Sequence, residues 1–430
     1  MALFIKDIDY LPMTGSPQLK RGSIRIEGRR ITAVGAISPQ WGDEVIYGHD
    51  KLALPGFVNG HCHAAMTMLR GFGEGLPLRE WLSRVQPAEA ALREEDIYWA
   101  SLLAQMEMMK AGVTCYADMY FSEECSLWAL EESGIRAVLA NGLVDDDGRG
   151  EGRLRAMLQW ADHYRDDGRG LVSFALAPHA VYSCSEPFLR DIAFEARKRR
   201  LPLHIHIAET AAEQESCAAA HGRRVLPYLR DIGFLDGRVF AAHMIHLDEE
   251  EMDIAAEKDV RVVHCPQSNM KLASGVLPYR SLRRRGVTVG LGTDGAASNN
   301  DLDMLEETRC ASLLQKVASG DAAALPPGEA LAMATREGAK ALFLDDQIGT
   351  IEPGKLADIT ILSLWRPHFY PRNDVNDVMS HVVYGAKNGD VHTVIINGSV
   401  RVRAGKCVDI DESRVYHEIQ KRAVGFWRRV

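Results

Sequence analysis

The chain has 430 residues and a mass of 47.6 kDa, too long for one ordinary domain and suited to a barrel of ~250 residues with an accessory lobe. At 46% hydrophobic and 25% charged residues its composition is globular, which excludes a disordered or collagenous chain. Acidic residues outnumber basic ones 59 to 50, the formal charge is −9, and the longest basic run is Arg283, Arg284 and Arg285, so no nucleic-acid-binding tail is expected.

The amino end, MALFIKDIDYLP, has no basic stretch ahead of a long apolar one, and no signal peptide is expected there. No run approaches the ~18 apolar residues of a membrane span. Residues 1–53 read as short strands with turn breaks; SIRIEGRRITAVG alternates apolar and polar residues around a Glu-Gly turn. Over residues 54–344 the texture changes to short apolar runs separated by amphipathic stretches such as EDIYWASLLAQMEMMKAG and SEPFLRDIAFEARKRR. The expected strands are, in order, GFVNGHCH, GVTCYADMY, IRAVLANGL, LVSFALAPH, LPLHIHIAE, RVFAAHMIH, VRVVHCP and VTVGLGTD. Eight strands alternating with helices over roughly 290 residues predict an α/β chain built as a (β/α)8 barrel. Their lack of clean alternation fits strands buried on both faces. Over residues 345–430 strand texture returns in GTIEPGKLADITIL and VHTVIINGSVRVRAGK, so both chain ends are expected to form one small β-rich lobe. The eight cysteines are scattered without a C-x-x-C pair, which argues against disulfides and a zinc knuckle and for a reducing, cytoplasmic setting.

In a barrel of this kind chemistry gathers at the strand ends. The first strand ends in His61-Cys62-His63, where an i, i+2 pair puts both imidazoles on one face and turns Cys62 away. Two such imidazoles can chelate a divalent ion at about 2.0–2.1 Å. The fifth strand carries His204 and His206 in register, with Glu209 just past its end. The sixth ends in His243, followed by His246, and the eighth in Thr293-Asp294-Gly295. Buried Asp and His are costly to desolvate unless paired or bound to metal, so a metal centre is expected. His204 and His246 are read as packing or supporting residues rather than ligands.

Histidines and aspartate in this order on successive strand ends resemble the amidohydrolase superfamily. The segments PGFVNGHCHAAMTMLRGFGEGLPLREWL, APHAVYSCS, HIHIAET, AAHMIHL, HCPQSNMKLASG and LGTDGAASNN are similar, more narrowly, to the 5-methylthioadenosine/S-adenosylhomocysteine deaminase family, over roughly residues 50–400. The resemblance implies a β-sandwich beside the barrel. It also implies one divalent ion per chain, zinc best suited, held by His61, His63, His206 and Asp294. Two-metal relatives carry a lysine at the end of the fourth strand, where this chain has His179. By the same resemblance, His243 lies against the attacking water and Glu209 is the proton-transfer acid/base. Asp294 takes the water's proton, so Glu209, His243 and Asp294 are the expected catalytic residues.

The implied reaction is hydrolytic deamination of 5′-modified adenosines (5′-methylthioadenosine, adenosine, S-adenosylhomocysteine) by hydroxide attack at the amino-bearing purine carbon, releasing ammonia. The ion lowers the pKa of water toward ~7, and Glu209 protonates the neighbouring ring nitrogen. Trp81, Glu89, Arg153, His179 and Ser298, with Glu209 and Asp294, match positions that contact the nucleoside. Asn141 departs from the pattern, because relatives that take S-adenosylhomocysteine have an arginine there. An alternative is an amidohydrolase for another amino- or chloro-heterocycle of the guanine, oxopurine or triazine type; Glu89 separates the two, since it has work only if there is a sugar. A non-catalytic scaffold is the third reading, opposed by the intact ligand set. The expected partner is a small-molecule nucleoside, with no nucleic acid and no membrane, and a two-fold homo-oligomer is the base-rate expectation.

Overall fold

The computed structural model describes residues 2–15, 18–164, 169–373 and 377–429. Its first strands are β1 (Leu3–Tyr10), β2 (Lys20–Glu27), β3 (Arg30–Gly35), β4 (Glu44–Tyr47) and β5 (Lys51–Pro55). Then come β6 (Phe57–Cys62), β7 (Val113–Tyr120), β8 (Arg136–Leu143), β9 (Val172–Phe174), β10 (Ala177–Pro178), β11 (Leu203–Ile207), β12 (Val239–His243), β13 (Arg261–His264) and β14 (Val289–Leu291), with helices between most of them. The last are β15 (Ile359–Ser363), β16 (Val391–Ile396), β17 (Ser399–Arg403) and β18 (Lys406–Cys407).

Strands β6 to β14 form two parallel sheets, one of five strands in the order β10-β8-β7-β6 with β9 on β8, the other β11-β12-β13-β14. The chain is therefore α/β with parallel sheets. These strands are buried almost throughout, which is why they read as apolar runs without alternation. The expected fourth strand is broken in two. There the chain hands its pairing from one sheet to the next: Ala175 N–H donates to the Leu139 carbonyl, while Leu176 N–H donates to the Pro202 carbonyl. On that side the two sheets are also bridged by His204 N–H to the Leu176 carbonyl at 3.0 Å and His206 N–H to the His179 carbonyl at 3.1 Å. On the other side Asp294 N–H donates to the His61 carbonyl at 3.0 Å. Gly292 permits this approach, because a Cβ there would lie 2.7 Å from the His61 backbone nitrogen.

Side-chain direction follows the two-residue period of a strand. In β11, Leu203, Ile205 and Ile207 join an apolar cluster with Ile192, Ala196 and Leu229 from the covering helices. His204 and His206 point the opposite way, His204 reaching His61 and stacking on Phe240 with ring centres 4.3 Å apart.

The remaining strands make a nine-stranded sheet in the order β18-β17-β16-β15-β5-β1-β2-β3, with β4 on β1. Its centre is the antiparallel pairing of β5 with β15, Pro55 opposite Ile359. A buried ion pair ties this sheet to the parallel strands: Arg136 on β8 donates from Nε and Nη2 to Asp358 at 2.8 and 3.0 Å. Asp358 also accepts from Asn397 N–H at 2.7 Å, so its charge is paired and hydrogen-bonded as a buried carboxylate requires. Among the described residues no helix is long and apolar enough to cross a membrane.

Candidate active site

Four strand ends converge. His61 and His63 come from the end of β6, His206 from β11, His243 from the last residue of β12, and Asp294 lies three residues past β14. Left-handed backbone at Ala208 (φ 51°), His243 (φ 72°) and Asp294 (φ 60°) turns the chain sharply as it leaves three of these strands. Non-glycine residues held this way cost about 1–3 kcal/mol each and cluster at functional sites.

Each imidazole is fixed through Nδ1. His206 Nδ1 meets the His179 carbonyl at 2.8 Å, and His63 Nδ1 meets the Met119 carbonyl. Because a carbonyl only accepts, both rings carry their proton on Nδ1 and present a bare Nε2. His61 Nδ1 lies 2.8 Å from His204 Nε2, leaving His61 Nε2 buried without a hydrogen-bond partner. His243 differs: the side-chain amide of Asn269 donates to its Nδ1 at 2.9 Å, so Nε2 carries the proton and faces Glu209 Oε2 at 3.6 Å. Burial pushes His61 and His179 down to about 4, and His204 and His206 well below the ordinary histidine value. These rings are neutral, the state a ligand must have.

Asp294 Oδ1 lies 3.4 Å from His61 Nε2 and 3.3 Å from His63 Nε2. Ligands at ~2.0–2.1 Å on a tetrahedron stand about 3.3 Å apart, so these spacings suit a zinc-sized divalent ion. Candidate donor atoms of His61, His63 and Asp294, and likewise those of His61, His206 and His243, all lie within 4.8 Å of one another. The residues therefore fit a divalent metal, and the Nε2 atoms of His61, His63 and His206 with the Asp294 carboxylate make the better donor set. The N–H of His243 suits a hydrogen-bond donor beside it.

Glu209 is buried at the edge of this cluster, accepting from the Ser274 hydroxyl at 3.2 Å. Burial, then the charge of Asp294, pushes its carboxyl up to about 8. Its own N–H donates to Glu213 at 2.9 Å, which anchors the turn after β11.

A cavity of about 470 Å³ opens over the cluster. His63, His206, Glu209, His243 and Asp294 form its floor, with His61 beneath. Of the residues expected to touch substrate, Trp81, Glu89, Arg153 and His179 line it. Trp81 and Glu89 sit on the helix Leu78–Ala90, and burial pushes Glu89 up to about 7 against the Tyr120 hydroxyl beside it. His179 is steadied by Ser183 at 3.1 Å. Ser298 is not on the wall: it is buried, its hydroxyl donating to the Gly295 carbonyl at 3.1 Å. Asn141, at the end of β8, accepts from Glu123 N–H at 3.3 Å. His246 hydrogen-bonds the Ser274 carbonyl and lines no part of the cavity.

Three supporting residues come from one segment to which no sequence-level role attaches. In HCPQSNMKLASG, Ser268 donates to Asp294 Oδ2 at 2.6 Å, Asn269 holds His243, and Ser274 holds Glu209. The usable signal is a buried run rich in Ser and Asn directly after an apolar strand, since buried polar groups demand partners. Tyr120, beside Glu89, likewise gives no sign in the sequence that it reaches the cavity.

The chain matches the amidohydrolase family model over residues 52–401. It is 42% identical, over 98% of each chain, to a 5-methylthioadenosine/S-adenosylhomocysteine deaminase of Moorella thermoacetica. Among solved structures it resembles a zinc-bound adenosine deaminase from Xanthomonas campestris, with a TM-score of 0.95 and 33% identity over 100% of this chain and 99% of that one. A triazine hydrolase from Arthrobacter aurescens aligns with a TM-score of 0.92 but 24% identity, over 98% and 99% of the two chains, a likeness of fold alone.

Proposed function

The chain belongs to the amidohydrolase family, and we propose that within it this site carries out the hydrolytic deamination of 5′-modified adenosines, giving the inosine-type product and ammonia. The observation that carries this reading is the placement of Glu209. It is a buried carboxyl raised to about 8, on the same cavity as the open faces of His63, His206 and Asp294. The relatives named as adenosine-type deaminases support it.

His61, His63, His206 and Asp294 would hold one divalent ion, zinc by the mixed imidazole and carboxylate donor set. When bound, the ion supplies a water acidified toward neutral pH. Glu209, carrying a proton at neutral pH, donates it to the purine nitrogen next to the amino-bearing carbon and makes that carbon electrophilic. His243 directs its Nε2 proton at the attacking oxygen and steadies the charge that develops there. The Asp294 carboxylate, held by Ser268, takes the proton that oxygen gives up. With that proton passed to the amino group, ammonia departs, and the remaining hydroxyl proton returns to Glu209 as the carbonyl forms. Glu89 accepts the ribose hydroxyls, while Trp81 and His179 shape the purine and 5′ sides.

The two parallel sheets are read as one closed eight-stranded barrel over residues 54–344. Residues 1–53 and 345–430 are read as one lobe beside it. The hydrogen bonds between the sheets on both sides support the first, and the β5–β15 pairing supports the second. Eight free cysteines agree with a reducing, cytoplasmic setting.

An ammonia-release screen on the zinc-loaded protein with adenosine, 5′-methylthioadenosine, S-adenosylhomocysteine, guanine and cytosine tests the proposal. Release from the adenosines is expected; release from guanine with the adenosines silent would overturn it.

A further inference from the structure

A cavity that accepts 5′-substituted adenosines must accommodate whatever charge the substituent bears, and this one offers little to an anion. Among the described residues lining it, Arg153 is the only one with a permanent positive charge, against the carboxyl groups of Glu89, Asp146, Glu209 and Asp294. Arg153 stands on the helix Gly150–His163. Its Nη1 and Nη2 each donate to one oxygen of Asp147 at 2.6 Å, and Nη1 also donates to the Val144 carbonyl at 2.9 Å. This is the end-on, two-pronged fit of a planar guanidinium to a carboxylate, and it takes up the Nη1/Nη2 face and compensates the charge. Asp147 is held independently, because Arg149 N–H donates to its Oδ1 at 3.0 Å. The uncharged Asn141 is turned to the backbone of Glu123 and supplies no second cation.

We propose that Asp147 is a specificity-determining residue which, by pairing with Arg153 and compensating its charge, makes the site select adenosines whose 5′ substituent carries no carboxylate. The inference rests on the deaminase reading above and narrows its substrate class. A carboxylate arriving on the substrate would either displace Asp147 or share with it, from the Nε side, a guanidinium whose charge is already compensated. The roughly 10–150-fold gain of a charge-assisted hydrogen bond is then already taken. Displaced, Asp147 would also stand with Asp146 as a second uncompensated negative charge at the wall. A methylthio group meets neither obstacle, and an ammonium finds acids on either side. Asp147 is 41% exposed and lies outside the core, so it can be altered without unfolding the protein.

The test is kcat/KM for three nucleosides: 5′-methylthioadenosine, S-adenosylhomocysteine, and 5′-(3-aminopropylthio)adenosine, which keeps the tail length and ammonium but lacks the carboxylate. In the unmodified protein S-adenosylhomocysteine is expected to fall about tenfold or more below the aminopropylthio compound. Asp147→Asn should shrink that ratio by about tenfold, and Asp147→Glu should preserve it. A merely structural loss would lower both tailed nucleosides and leave the ratio in place. Equal kcat/KM for the two in the unmodified protein, or a ratio unmoved by Asp147→Asn, overturns the inference while the deaminase reading stands. If all three nucleosides are inert to the metal-loaded protein, the deaminase reading falls and takes the inference with it.

Discussion

His204 Nε2 stands 2.8 Å from His61 Nδ1, and this contact decides which nitrogen of His61 faces Asp294. If His204 accepts the Nδ1 proton, His61 Nε2 is left bare beside Asp294. The ring of His204 is itself held flat on Phe240. Metal-ligating imidazoles commonly depend on such partners, whose loss costs roughly 10–100-fold in metal affinity. His204→Ala is expected to weaken metal binding by about that factor, with His204→Gln recovering part of it through its side-chain oxygen. Chelator competition followed by metal analysis measures it. Unchanged affinity in the alanine variant would show that β6 alone orients His61.

Glu209→Gln should retain metal and fold while losing about 10²–10⁴-fold in kcat, since an amide cannot deliver the ring proton. Metal content and thermal unfolding serve as controls beside the rate. Near-full turnover would assign the proton to another group, with Glu213 at the neighbouring turn the first to examine.

Glu89 carries a pH signature. To accept two ribose hydroxyls its carboxyl must be ionised, yet burial raises it from 4.5 to about 7. Binding therefore expels a proton below that pH, and kcat/KM for nucleosides should rise as pH passes through 7. Glu89→Gln should flatten that limb and raise KM about 10–100-fold. Stability runs the other way. With the folded value above the unfolded one, the contribution is complete below pH 4.5 and is lost as pH rises through 7. Glu89→Gln should thus be more stable than the unmodified protein at pH 8, by up to about 3 kcal/mol, and no more stable at pH 4. Urea unfolding at the two pH values checks the sign.

Stripping the protein with a chelator should abolish turnover, and one equivalent of zinc per chain should restore it. Free zinc at 100 times its Kd should also raise unfolding free energy by about 2.7 kcal/mol. Asp294→Asn is expected to lose both metal affinity and rate, because in the proposed mechanism the same carboxylate is ligand and base. Two ions per chain in elemental analysis would contradict the single site that His179, in place of a lysine, implies.

Strand ends were readable in the sequence because parallel strands buried on both faces leave a polar residue little reason to be there except chemistry. His61, His63, His206, His243 and Asp294 stand out against that background. The break between β9 and β10 was not readable, since it depends on which neighbour each amide reaches at Ala175 and Leu176. Nor were Ser268, Asn269 and Ser274, which take their roles from residues on other strands. Arg153 and Asp147 lie six positions apart, yet their pairing depends on how the loop between them turns, which no sequence pattern shows. Ser298, in a run of small residues with no periodic pattern, gave no clue to its side-chain direction.

The pairing of Pro55 with Ile359 also sets a timetable for biosynthesis. Roughly 300 residues separate the partners, and at about 5–20 residues per second a ribosome needs ~15–60 s to supply the second after the first. Throughout that interval β5 has a bare edge, although the parallel strands that follow can already be collapsing. Unpaired edges invite association with other chains. Slower growth or chaperone supply should therefore raise the yield of recombinant protein more than any substitution near the catalytic cavity, because the vulnerable moment comes before that cavity's neighbouring sheet is complete.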